Sequence, residues 1–119
     1  MATLVLMLFA MSCLAVDPPL YDYAFKMNFD ELYKTDKGNY EVNGQLFYDP
    51  KNNQERVDRV NGRYNIFCNT VLPNVTTPCQ QITTQNKRWI IFPSKSLCCF
   101  CCDSSHGCGI LKPDWMKGG

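Results

Sequence analysis

The residues best equipped for chemistry lie between Cys98 and Trp115, where five of the eight cysteines and the single histidine fall within eighteen residues. Cys98 with Cys101 and Cys99 with Cys102 make two overlapping Cys-x-x-Cys spacings, followed by His106 and Cys108. Zinc and other soft metals take four such ligands in a tetrahedron, and Cys-x-x-Cys commonly supplies half of the set. The same residues could equally be structural cross-links, or leave a free reactive thiol. Neighbouring cysteines make poor partners for each other: a trans peptide holds adjacent Cα atoms at about 3.8 Å, and a relaxed disulfide wants roughly 4.4–6.8 Å. In an extended segment Cys98 and Cys102 point to one face and Cys99 and Cys101 to the other, so the cluster reaches outward to tie layers together.

Which chemistry prevails depends on the compartment. Residues Thr3 to Leu14 form an apolar and small-residue run, followed by Ala15-Val16-Asp17-Pro18-Pro19. The run is too short to span a bilayer and sits where the apolar core of a secretory leader belongs, although no Lys or Arg precedes it. The expectation is a signal peptide over residues 1–15, cut after Ala15, with no stable transmembrane anchor and one mature domain over residues 16–119. In the secretory lumen or outside the cell disulfides are favoured. Cys68, Cys79, Cys98, Cys99, Cys101, Cys102 and Cys108 are therefore read as disulfide formers, and no metal site is assigned. Losing Cys13 with the leader leaves an odd number of cysteines. Either one thiol is free, or it joins another chain, or its partner is missing. Lys112-Pro113-Asp114-Trp115 resembles the start of a helix, with Pro at its first turn, so the domain is expected to be incomplete at its C-terminus.

Catalysis finds little support. A nucleophile built from Cys108 and His106 would need a third group to orient the base, and His106 in Ser104-Ser105-His106-Gly107 reads as a turn residue. Asp49, Glu55 and Asp58 read as scattered acids on a solvent face rather than a hydrolytic pair or a calcium site. No catalytic residue and no cofactor are assigned, and the chain is read as a non-enzyme. Twelve basic against eleven acidic residues, with no basic run longer than Lys87-Arg88, give no footprint for nucleic acid.

The elements that must position these residues read as strands. The length of 119 residues, 45% of them hydrophobic, suits one domain with one core. Tyr21 to Asp30 alternates apolar and polar with period two, the signature of a half-buried antiparallel strand. Tyr40–Tyr48 follows, with Gly44 marking a bulge or a close backbone approach, and then Gln54–Val60. Asn61-Gly62 is a hairpin signal that leads into Arg63–Cys68. Cys79–Thr84 and Lys87–Pro93 flank the turn Gln85-Asn86. The loop between Cys68 and Cys79 holds the sequon Asn74-Val75-Thr76, a candidate glycosylation site at Asn74. Bridging its two ends would contribute about 3 kcal/mol in the loop-entropy model. The fold class is thus mainly β: a curved antiparallel sheet, a half-open barrel meander of about six strands, with an N-terminal signal helix and a short C-terminal helix start.

Such a sheet has one apolar side and little to cover it. Tyr21, Tyr23, Phe25, Met27 and Phe29, together with Trp89, are the candidate ligand-lining residues, since tyrosine and methionine suit adaptable apolar pockets. The cover would be a missing C-terminal part, a protein partner or second copy of the chain, or a hydrophobic small molecule or lipid.

Gly44-x-Leu46-x-Tyr48-Asp49, Arg56-Val57-Asp58, Cys68, Cys79, Trp89-x-x-Phe92-Pro93, the Cys-Cys-x-Cys-Cys cluster and Gly109-Ile110-Leu111-x-Pro113-Asp114-Trp115 together resemble a family of uncharacterised secreted proteins from protists and plants. More distantly, the Tyr-Asp and Arg-Val-Asp stretches are similar to ependymin-related secreted glycoproteins. That resemblance implies a half-open antiparallel barrel with helices as a lid, like the bacterial lipoprotein carriers. It spans Tyr21 to Trp115. In the family, further strands and another cysteine follow Pro-Asp-Trp; this chain departs by ending at Gly119, which leaves the closed pocket and full cysteine pairing of the family open here.

Overall fold

The computed structural model of the chain describes residues 17–118; the expected leader, its cut after Ala15 and Cys13 lie outside them. Six strands form one antiparallel sheet in chain order: β1 (Phe25–Thr35), β2 (Gly38–Asp49), β3 (Gln54–Arg59), β4 (Cys79–Thr84), β5 (Lys87–Phe92) and β6 (Leu97–Asp103). β1 and β6 are both edges, so the sheet is an open meander rather than a closed barrel. One short helix, α1 (Ile66–Val71), lies between β3 and β4. Among the described residues no helix is long and apolar enough to cross a membrane.

Local chemistry explains the turns. The pair Gln85-Asn86 joins β4 to β5 with positive φ at both residues (50° and 62°), as a two-residue hairpin matched to strand twist demands. Gly38 opens β2 at φ 137°, a backbone angle that side chains disfavour.

The register sorts the side chains into two faces. Tyr48, Leu46 and Gly44 of β2 stand opposite Phe25, Met27 and Phe29 of β1, and opposite Glu55, Val57 and Arg59 of β3. Thr83, Gln81 and Cys79 continue this inner face on β4, and Arg88, Ile90 and Phe92 on β5. α1 covers one part of it. Cys68, Cys79, Ile90 and Phe92 are fully buried there, with Phe67, Val71, Leu72 and Leu97 packed around them. The segment from Gly109 to Trp115 crosses another part. Leu111 donates its backbone N–H to Glu55 at 2.9 Å and accepts the Tyr48 hydroxyl at 2.7 Å, and Tyr21 donates its N–H to the Pro113 carbonyl.

Several expectations need correction. Arg63–Cys68 is not a strand: Asn65 caps α1, its side chain accepting from the N–H groups of Phe67 and Cys68, and this local capping prevails over the hairpin signal. Gly62 is needed for space, not for a turn, since a β-carbon there would sit 2.8 Å from the Cys79 Cβ and 3.0 Å from the Cys68 Cβ. The sixth strand is instead the cysteine cluster itself, within Leu97–Asp103. The first strand begins at Phe25 rather than Tyr21 and runs on to Thr35. At Pro113 the expected helix start is a turn leading into a 3-10 segment, Trp115–Gly118.

Candidate functional site

Between the cover made by α1 and that made by the Gly109–Trp115 segment lies a cleft of about 270 Å³ on the inner face. Its apolar walls are Phe29, Leu46, Val57, Phe67 and Leu111. A wider hollow of about 600 Å³ adjoins it, sharing Glu55, Arg88 and Leu111 and running under Trp115. Further hollows of about 520 and 480 Å³ are lined by residues of both faces, including Arg56 and Ile82 in one and Asp58 and Gln80 in the other, so they wrap the ends of the sheet.

The polar groups in the cleft are arranged in opposed pairs. Arg59 grips Glu31 through two bonds of 2.8 Å and also donates to Gln81. Burial pushes the Glu31 carboxyl up, but hydrogen bonds from Arg59 and Tyr33 outweigh it and hold the group below the ordinary range. Glu55 goes the other way. Burial raises it, and the Leu111 N–H and the charges of Arg88 and Arg59 offset only part of the rise. Arg88 donates to the Thr83 hydroxyl at 3.1 Å and the Gly109 carbonyl at 3.0 Å, and its guanidinium lies 4.8 Å from the Phe67 ring centroid. Among the described residues no carboxylate lies within 4.0 Å of Arg88.

The expected ligand residues divide. Tyr21, Tyr23 and Phe25 form an aromatic cluster with Tyr48 and Trp115, with ring centroids 5.1–6.2 Å apart, at the end of the cleft. Met27 pairs with Leu46 and Phe29 with Gly44 on the same face. Trp89 is on the opposite face, packed edge-on against Phe100 at 5.4 Å, because strand alternation puts Arg88 and Ile90 inside. Of the polar cleft residues, Arg59 and Arg88 carry no mark in the sequence beyond their strand parity with Val57 and Ile90, and Glu55, read there as an acid on a solvent face, is buried instead.

Among the described residues the cysteines form two bonds. Cys68 joins Cys79 across the loop that holds the Asn74 sequon, with Cα atoms 6.3 Å apart, and Cys102 joins Cys108 at 5.8 Å. Cys98, Cys99 and Cys101, read from the sequence as disulfide formers, are instead free thiols among the described residues. The expected strict alternation along the cluster fails at one point: a bulge opposite Arg88 and Trp89 pairs Phe100 and Cys102 with them and leaves Cys101 without a partner. Cys101 and Cys102 therefore turn the same way, with sulfurs 3.2 Å apart. The sulfurs of Cys101, Cys102 and Cys108 all lie within 4.8 Å of one another. Burial pushes the Cys101 thiol up, partly offset by Arg88.

His106 is a turn residue, its Nδ1 2.9 Å from Asp103, whose carboxyl the Ser105 and His106 hydrogen bonds hold down at about 2. Asp49 bonds Asn52, Asp58 pairs with Arg56 on the outer face, and Glu55 is buried inside, so the three acids do not meet. Asn74 is exposed, at φ 60°. Compared with known proteins, the chain matches no family model, no curated protein and no solved structure.

Proposed function

We propose that the chain is a secreted, disulfide-stabilised binding protein that holds an amphipathic hydrophobic molecule, such as a fatty acid, in the inner-face cleft. One observation carries this reading: apolar walls from Phe29, Leu46, Val57, Phe67 and Leu111 converge on Arg88, a cation with only neutral hydrogen-bond partners. The cleft and the hollow beside it reach the size at which small-molecule sites are found, and since Arg59 is held by Glu31 and Gln81, Arg88 is left to fix orientation. An acyl chain suits the walls and an anionic head suits the guanidinium. Two disulfides fit an oxidising compartment, and the leader-like start, the Asn74 sequon and the resemblance to secreted carrier-like proteins agree with it.

The test is uptake of a fluorescent fatty acid by the secreted chain, with native mass spectrometry of the protein as isolated. Saturable uptake is expected, weakened about tenfold or more in Arg88→Gln for the acid but not for its methyl ester. A lipid-free native mass together with no uptake would sink the reading.

A second reading has its own observation. Trp89 and Phe100 are exposed on the outer face, and the neighbouring free thiol of Cys98 is exposed beside them. This arrangement suits an interaction protein that meets a partner or a second copy there, with Asn74 and the compartment unchanged. A disulfide-linked oligomer on non-reducing gels that is lost in Cys98→Ser would favour it.

A further inference from the structure

We propose that Cys101, Cys102 and Cys108 form a thiol–disulfide exchange site in which Cys108 is bonded alternately to Cys102 and to Cys101. The bulge in β6 sets this up by turning two adjacent cysteines to one side, where their sulfurs lie 3.2 Å apart and both within 4.8 Å of the Cys108 sulfur. A resident thiol thus touches a resident disulfide, with no further group needed to bring them together.

The step balances within the chain. Cys101 loses its proton and its thiolate attacks Sγ of Cys108. The Cys101–Cys108 bond forms as the Cys102–Cys108 bond breaks, and the departing pair leaves on Cys102, which takes up the proton. One disulfide and one thiol are present before and after, so no oxidant or reductant is consumed. Attack at Cys102 would instead yield a bond between adjacent residues, which the peptide spacing disfavours. Cys108 is therefore the common partner. Whichever neighbour holds it, the loop from Asp103 to Gly107 stays closed onto β6, and the identity of the free thiol is what changes. Its 3-10 turn, with Gly107 in the left-handed region at φ 81°, touches neither sulfur of β6 by hydrogen bond and need not reorganise.

The full-length secreted chain is incubated at pH 8 for hours, the range of uncatalysed disulfide rearrangement, then alkylated, acid-quenched and sequenced by tandem mass spectrometry. Alkylation divided between Cys101 and Cys102 is expected; alkyl groups on Cys101 alone overturn the proposal. In Cys102→Ser, one alkylatable thiol is lost relative to the parent, because Cys101 becomes bonded to Cys108. In Cys108→Ser, one is gained, because neither neighbour has a partner. If Cys108 in Cys102→Ser is free or bonded to any other cysteine, the exchange is refuted. The unsubstituted protein decides the question even if a variant fails to fold.

Discussion

The Phe29 ring fills the space beside Gly44 on the neighbouring strand: a β-carbon built on Gly44 would collide with Cζ of the ring, and sit 2.6 Å from the carbonyl oxygen of Asp58. No bulge accompanies this glycine, since the β1–β2 register runs straight through Phe29 and Gly44. Its role is close approach, with an aromatic covering a bare backbone. The same ring forms a wall of the cleft and lies 5.9 Å from the Arg59 guanidinium.

Gly44→Ala should accordingly lower stability by about 1–3 kcal/mol through overpacking. With Phe29→Ala present, part of that clash disappears, so the double variant should be more stable than the summed single effects by about 0.5–3 kcal/mol. Urea unfolding of the four proteins measures this, and simple additivity would refute the pairing.

Removing the two disulfides should have unequal effects. The Cys68–Cys79 bond closes a separation of 11 residues and sits fully buried in the core, whereas Cys102–Cys108 closes 6 and is partly exposed. Loop entropy gives about 3 kcal/mol for the first and about 2 kcal/mol for the second. Replacing the first pair by alanines should therefore shift the urea midpoint further, and equal shifts would contradict the placement of the core.

Glu31 and Arg59 should show acid-dependent coupling. The Glu31 pKa is lowered on folding, so its contribution is present above the ordinary carboxylate value and is lost as pH falls through the folded value. Glu31→Gln should cost about 1–3 kcal/mol at pH 7, less than a fully buried pair because Glu31 is partly exposed, since Arg59 is left with Gln81 alone. Thermal melts of variant and parent should converge in acid.

Glu55 should behave in the opposite sense. Its folded pKa is raised, so the cost of charging it is absent below the ordinary carboxylate value and grows as pH rises through the folded one. Glu55→Gln keeps an acceptor for the Leu111 N–H without the charge. The variant should melt higher than the parent at pH 7 and the gap should close in acid; a variant that melts lower at pH 7 would show that attraction to Arg88 and Arg59 dominates.

Much of the sheet was legible because its strands obey simple local rules. The parity of Phe25, Met27 and Phe29, the Gln85-Asn86 turn and the spacing of Cys68 and Cys79 all survive in three dimensions. The helix at Ile66–Val71 was hidden because its evidence is a single capping residue, while Asn61-Gly62 offered a strong but misleading turn. β6 was hidden because a cysteine run carries no polar alternation. The cleft was harder still. Glu55, Arg59 and Arg88 are charged residues that face inward, and charge in a sequence signals solvent unless a partner such as Glu31, distant in the chain, can be seen.

The order β1 to β6 is the order of the chain, so every ladder in the sheet forms between neighbours in sequence. Contacts of that kind close short loops and form early. The bonds from Leu111 to Tyr48 and Glu55 span 63 and 56 residues, and the Tyr21 N–H reaches the same segment at Pro113 from the far end of the chain. Long-range contacts of that kind carry the larger loop-closure cost, so the segment is expected to dock after the sheet has paired. Undocking of this segment would remove one wall of the inner-face cleft while every strand ladder of the sheet stays paired.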